Sequence, residues 1–202
     1  MENRYSAIIF DWAGVFCTPG EPFSHPELAK QTGLAVDEMG EATKQIQEQY
    51  YKGLITPSEF WNKVIAHFGL KNLSAQKLSR AYTSSYRVYP EMMELARKIK
   101  NKYRTALLSN LTQEMMGHII ANHNALSYFH HGIFSNQVGL IKPEAGIYYQ
   151  ALKKLGAKPD ETVFVDDSAK NVAAAIALGL TGIVFQSKDQ LEIKLKKLGL
   201  DF

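Results

Sequence analysis

The sequence contains a single cysteine, Cys17, among 202 residues. An internal disulfide is therefore excluded, and with it the small cross-linked scaffold typical of secreted domains. Long apolar runs are missing too: no stretch approaches the roughly 20 residues that a membrane span needs. With no signal-peptide pattern visible, the expected compartment is the cytoplasm and no membrane partner is expected. Nor is charge of one sign in excess. The 23 basic and 20 acidic residues leave a formal charge of +3. The basic residues are scattered rather than gathered into a stripe, so no nucleic-acid partner is expected. Repeats and low-complexity linkers are absent. What is present is ordinary globular material, 46% hydrophobic and 21% charged, enough for one sizeable core with a small attached lobe. A small-molecule partner fits this composition; the oligomeric state is not fixed by it.

Short β-branched and aromatic runs bounded by turn residues predict buried strands at 7–11, 104–108, 132–135, 162–166 and 182–185. Helical patterns fall between or after the later ones, at 112–124, at 143–156 from Pro143 to Gly156, and at 168–179 up to Gly179. Strands alternating with helices at this spacing predict a parallel sheet covered on both faces, an α/β architecture. The stretch 18–88 differs, with helical periodicity and turn punctuation at Gly33, Gly53, Pro57 and Gly69 but no strand pattern. It reads as a helical insertion after the first strand, leaving 1–17 and 89–202 as the core. Within it, Thr56-Pro57-Ser58-Glu59 predicts a helix start with a capping box. At the far end, Leu191, Leu195 and Leu198 share one face among lysines, predicting a terminal helix docked on the core.

In open parallel sheets ligands collect beyond the carboxyl ends of the strands. The residues that end the predicted strands are Asp11, then Ser109 and Asn110, then Asp166 and Asp167, with Lys142 preceding Pro143 at a helix start. Three carboxylates, a lysine, a hydroxyl and an amide would thus meet at one edge. Carboxylates are hard ligands suited to Mg²⁺, which commonly takes one or two of them together with substrate phosphate. Without a cation such a cluster repels itself. With one, an aspartate can attack phosphorus as a covalent nucleophile while a lysine and a hydroxyl hold the phosphoryl oxygens.

Four stretches in order, "FDWAGVF", "LLSN", "GLIKPEAGIYYQAL" and "VFVDDSAKNVAAAIALG", resemble the four motifs of the haloacid dehalogenase-like (HAD) hydrolase superfamily. The resemblance spans nearly the whole chain. It implies a Rossmann-like core with an inserted helical C1 cap, Mg²⁺ as cofactor and a small phosphorylated substrate. It also implies roles: Asp11 as nucleophile and metal ligand, the backbone carbonyl of Ala13 as a second ligand, Ser109 and Asn110 as phosphate-binding residues, and Lys142 as the lysine that stabilises nucleophile and phosphoryl group. Asp167 matches a direct metal ligand, with Asp166 and Asn171 in supporting metal-shell positions.

One position departs from the pattern. Two residues after the nucleophile the superfamily's phosphatases usually carry a second Asp that protonates the leaving group; here it is Ala13. General acid–base catalysis is worth roughly a hundred- to ten-thousandfold, so a substrate with a good leaving group would suffer least. Three enzyme readings accommodate Ala13. One is a phosphatase without that Asp, favoured by "YYKGLITPSEFW", which resembles the cap of sugar-phosphate phosphatases that lack it. Another is a phosphonoacetaldehyde hydrolase, whose first motif "FDWAG" resembles and which would need a Schiff-base lysine among Lys30, Lys44, Lys52, Lys63, Lys71 and Lys77. The last is a metal-free dehalogenase, for which paired Asp166 and Asp167 would be a costly cluster. A catalytically silent binding module is the reading outside the enzyme class.

Plainer roles exist for each residue alone. Asp11 could form a turn, Ser109-Asn110 could cap the next helix, Lys142 could be solvated, and Asp166-Asp167 could cap the helix near Ser168. Their joint position at successive strand ends favours a site. His118, His123, His130 and His131 fit no zinc spacing, Cys17 has no basic partner to activate it, and Trp12 reads as packing.

Overall fold

The computed structural model describes residues 4–18, 26–84 and 86–202; part of the expected insertion, 19–25, lies outside the described residues. The sheet is built from β1 (Ala7–Phe10), β2 (Arg104–Ser109), β3 (His131–Phe134), β4 (Thr162–Asp166) and β5 (Thr181–Val184). Its order is β3-β2-β1-β4-β5 and every pairing is parallel. All five strands fall within a residue or two of the predicted runs, because a strand buried on both faces writes itself as an unbroken apolar stretch.

Alternation along each strand sorts side chains to the two faces. Ile8, Phe10, Leu107, Val163 and Val165 enter one core, while Ala7, Ile9, Ala106, Leu108 and Phe164 enter the other. The second core is closed by α8 (Ala145–Leu155) and α9 (Ala169–Ala177), through Ile147, Tyr148, Leu152 and Val172. The first is covered by α5 (Pro90–Lys100), α6 (Gln113–His123) and α10 (Lys188–Lys197). On α10, Leu191 and Leu195 are fully buried and Leu198 packs at the margin, as its spacing predicts. A short helix, α7 (Ser135–Val138), follows β3. The helix predicted from Pro143 begins two residues later: Glu144 occupies the cap position and Ala145 is the first helical residue.

Between β1 and α5 run four helices, α1 (Pro26–Thr32), α2 (Val36–Tyr51), α3 (Pro57–Phe68) and α4 (Ala75–Ser84), with no strand among the described residues of that stretch. The capping box that starts α3 is formed: Thr56 accepts from the Glu59 backbone and Glu59 reaches back to the Thr56 N–H. The insertion shares the first core, with Tyr50 stacked on Phe60 and Trp61 edge-on to it. The chain leaves and re-enters the core side by side. Thr18 donates to the Arg87 carbonyl and Tyr89 to the Phe16 carbonyl, flanking a bridge between Cys17 and Val88.

Candidate active site

Asp11 extends the β1 ladder by one hydrogen bond, its N–H donating to the Val165 carbonyl at 2.9 Å. The chain then turns sharply, with Val15 and Phe16 both donating to the Trp12 carbonyl. Gly14 sits in this turn at φ +76°, and a Cβ there would overlap the Asp167 carboxylate. Glycine is required twice over, for the positive φ and for the close approach of Asp167. The turn thereby brings the end of β4 against the end of β1.

Asp11 is 6% exposed, and its contacts are unequal. Oδ1 accepts from Ser109 Oγ at 2.6 Å, the Trp12 N–H at 2.7 Å and Lys142 Nζ at 2.8 Å. Oδ2 accepts from no donor among the described residues. The carboxylate is thus fixed in orientation through one oxygen and left open at the other. Burial pushes its pKa up from 3.8 to about 6, with Lys142 pulling it down and Asp166 pushing it up.

Lys142 is buried between two carboxylates, 2.6 Å from Asp166 Oδ2 on its other side. Burial opposes its charge, but the two anions outweigh burial and hold its pKa above the usual value. Its backbone is clamped by Asn110, whose Oδ1 accepts from the Lys142 N–H at 2.8 Å and whose Nδ2 donates to its carbonyl at 3.1 Å. Asn110, expected at the phosphate, therefore spends its carboxamide on positioning Lys142. The Lys142–Pro143 peptide bond is cis.

Asp166 is saturated: besides Lys142 it accepts from the Ser168 N–H at 2.8 Å and from Asn171 Nδ2 at 3.1 Å. Asp167 is more exposed, and burial together with Asp166 raises its pKa. Carboxylate oxygens of Asp11, Asp166 and Asp167 lie within 4.8 Å of one another. Three acids against one buried lysine leave an excess of negative charge at the edge. That donor set fits a hard divalent cation.

Asp11, Ala13, Ser109, Asn110, Lys142, Asp167 and Asn171 line one cavity of about 420 Å³. Every sequence-identified site residue but the fully buried Asp166 therefore faces a common space. The alternative role for Ser109-Asn110 as a helix cap is not what occurs, since Thr112 caps α6 by accepting from the Met115 N–H. Asp166 does partly fill the capping role through Ser168.

Four further residues line the cavity: Pro143 and Ser168, which the sequence marks only as helix-start residues, and Tyr51 from the end of α2 and Lys170 from the start of α9, which it does not mark. Sequence reasoning also missed Glu114, which accepts from Tyr50 of α2, Trp61 Nε1 of α3 and Ser79 of α4, tying three helices of the insertion to α6. No sequence signal marks it. A glutamate in the first turn of a helix reads as a solvated charge favoured by the helix dipole.

A doubly wound parallel sheet with its acids gathered beyond the strand ends, at the switch between β1 and β4, defines an α/β enzyme with an anion- and metal-compatible edge. The chain belongs to the haloacid dehalogenase-like hydrolases, whose family model matches residues 5–179. It is 26% identical to the sesquiterpene phosphatase astK of Aspergillus oryzae over 185 residues, covering 91% of each chain. A HAD family enzyme of Bacteroides thetaiotaomicron, solved in complex with magnesium and inorganic phosphate, superposes with a TM-score of 0.79 at 25% identity, over 93% of this chain and 98% of that one. A HAD-like family hydrolase of Porphyromonas gingivalis shares the fold, with a TM-score of 0.83 at 23% identity over 98% and 100% of the two chains.

Proposed function

We propose that this hydrolase is a Mg²⁺-dependent phosphatase of small phosphorylated molecules that works through an aspartyl-phosphate on Asp11. The observation that carries the reading is the split environment of the Asp11 carboxylate, with three donors on Oδ1 and none on Oδ2. An oxygen left unpaired on a fixed carboxylate is available to attack phosphorus. Asp11, the Ala13 carbonyl and Asp167 would hold the cation, with Asp166 and Asn171 behind them. Bound there, it would neutralise the acids and draw charge from the phosphoryl oxygens.

In this reading Lys142 stabilises both the nucleophile and the charge that develops on the transferred group, and Ser109 orients Asp11 and meets a phosphoryl oxygen. Asn110 acts through Lys142 as a positioning residue. Helices α1–α4 serve as a cap whose Tyr51 closes the cavity. The phosphatase relative and the phosphate-bound neighbour support this chemistry. None of the six lysines that a Schiff-base mechanism would draw on lines the cavity, which favours a phosphate over a phosphonate substrate.

The test is hydrolysis of p-nitrophenyl phosphate by the purified protein. Activity should require Mg²⁺, vanish on chelation and fall by at least about a thousandfold in Asp11→Asn, as loss of a covalent nucleophile does. Activity that survives in Asp11→Asn would overturn the assignment.

A further inference from the structure

Ala13 lines a second space besides the catalytic cavity: a small chamber bounded by Trp12, Cys17, Tyr86, Leu111 and Met115. It has room for about one water-sized group. Its wall is largely apolar, yet two of its side chains carry polar atoms with no hydrogen-bond partner among the described residues, Trp12 Nε1 and Tyr86 Oη. Both atoms are shut off from solvent, and Trp12 as a whole is only 1% exposed. A buried donor left unpaired is costly, and native structures keep few of them. Both residues line this one chamber, which has room for a single acceptor atom. Burial also holds the Tyr86 phenol well above its ordinary pKa, with Cys17 and Tyr82 adding to the effect, so it stays protonated and able to donate.

Ala13, which lines both this chamber and the catalytic cavity, stands where an acid is missing. Ala13 has no proton to give, so the reaction suits a leaving group that departs without one. We propose that the chamber receives the carbonyl oxygen of an acyl phosphate, with Trp12 Nε1–H and Tyr86 Oη–H as its two donors, and that the acyl phosphates are the substrate class. The inference rests on the phosphatase reading above.

The chemistry balances without an acid. Asp11 Oδ2 forms a bond to phosphorus as the bond from phosphorus to the acyl oxygen breaks, and the electron pair leaves with that oxygen as a carboxylate. The growing carboxylate charge spreads onto the carbonyl oxygen, where the indole and phenol donate to it. The aspartyl-phosphate formed is itself an acyl phosphate, so the first step exchanges like for like. Water then attacks phosphorus, the bond to Asp11 breaks, Asp11 regains its carboxylate and both water hydrogens leave with dihydrogen phosphate.

The experiment compares kcat/KM for acetyl phosphate, which presents a carbonyl beside the breaking bond, with that for p-nitrophenyl phosphate, which departs readily but has no such oxygen. Wild type should prefer acetyl phosphate. Tyr86→Phe, which keeps the ring contacts to His118 and His123, and Trp12→Phe should each lower the ratio of the two values by about three- to tenfold, the worth of one hydrogen bond. An unchanged ratio in both variants, or no preference in the wild type while Asp11-dependent p-nitrophenyl phosphate hydrolysis persists, would overturn this inference alone. Hydrolysis of neither compound would overturn it together with the phosphatase reading.

Discussion

Glu114 on α6, part-buried, and Asp11 at the end of β1, buried, are carboxylates with opposite surroundings. Glu114 has both oxygens engaged, Oε1 by Tyr50 and Trp61 and Oε2 by Ser79. Its donors are all neutral, and no second acid accompanies it in the contact. Burial still raises its pKa, while those three bonds pull the other way. Asp11 shares its surroundings with two further acids and one lysine, and one of its oxygens is left open. The first arrangement is complete without any ligand and fixes the insertion on the core. The second is incomplete by itself, as the proposed roles of Asp11 in holding a cation and attacking phosphorus require. Full compensation marks a joint; partial compensation marks a site.

The largest effect is expected at the joint. Glu114→Ala would strand three part-buried donors and should lower stability by about 3 kcal/mol, read as a shift in the urea midpoint. Glu114→Gln, which keeps one acceptor oxygen, should lose less than about half as much. A fall in both variants of similar size would show that charge rather than acceptor count holds the joint.

At the site, a ligand should stabilise what the chain leaves unbalanced. Mg²⁺ at about a hundred times its dissociation constant should add about 2.7 kcal/mol, seen as a rise in Tm. Asp167→Asn should abolish most of that rise, whereas Glu114→Gln should retain it. Mg²⁺ that stabilises Asp167→Asn as strongly as wild type would place the cation elsewhere.

The smallest effect concerns pH in the metal-free protein. The Asp11 pKa is raised from 3.8 to about 6 on folding, so between those values the folded state binds more protons than the unfolded one. Its contribution to stability therefore worsens as pH rises from about 4 to about 6 and is unfavourable above that. Asp11→Asn removes the titration, and at pH 7 in chelator it should be more stable than wild type by about 1 kcal/mol after the lost Lys142 contact is discounted. The gain should disappear at pH 4. A constant difference across this range would show that Asp11 does not titrate there.

Much of this was legible in the order of residues. Unbroken apolar runs marked the strands because both faces of the sheet are covered, and Thr56 with Glu59 marked the start of α3 because capping is a local matter of three residues. The candidate acids Asp11, Asp166 and Asp167 were legible at strand ends, since a parallel sheet delivers all its carboxyl ends to one edge. Asn110 was placed at that edge correctly, but its duty toward the Lys142 backbone depends on a contact 32 residues away. The helix after Pro143 starts two residues later than the sequence predicts, because proline permits the first turn without requiring it.

By itself, then, the sequence determined the alternating architecture, the gathering of Asp11, Ser109, Lys142, Asp166 and Asp167 at one edge, and the absence of an acid at Ala13. Those follow from periodicity and from residue identity, which are local. Only the tertiary structure decided which oxygen of Asp11 is open, that Glu114 is a joint rather than a solvated charge, and that Trp12 and Tyr86, each with an unpaired buried polar atom, line a chamber with Ala13. These are consequences of burial, and burial is set by which distant segments pack together.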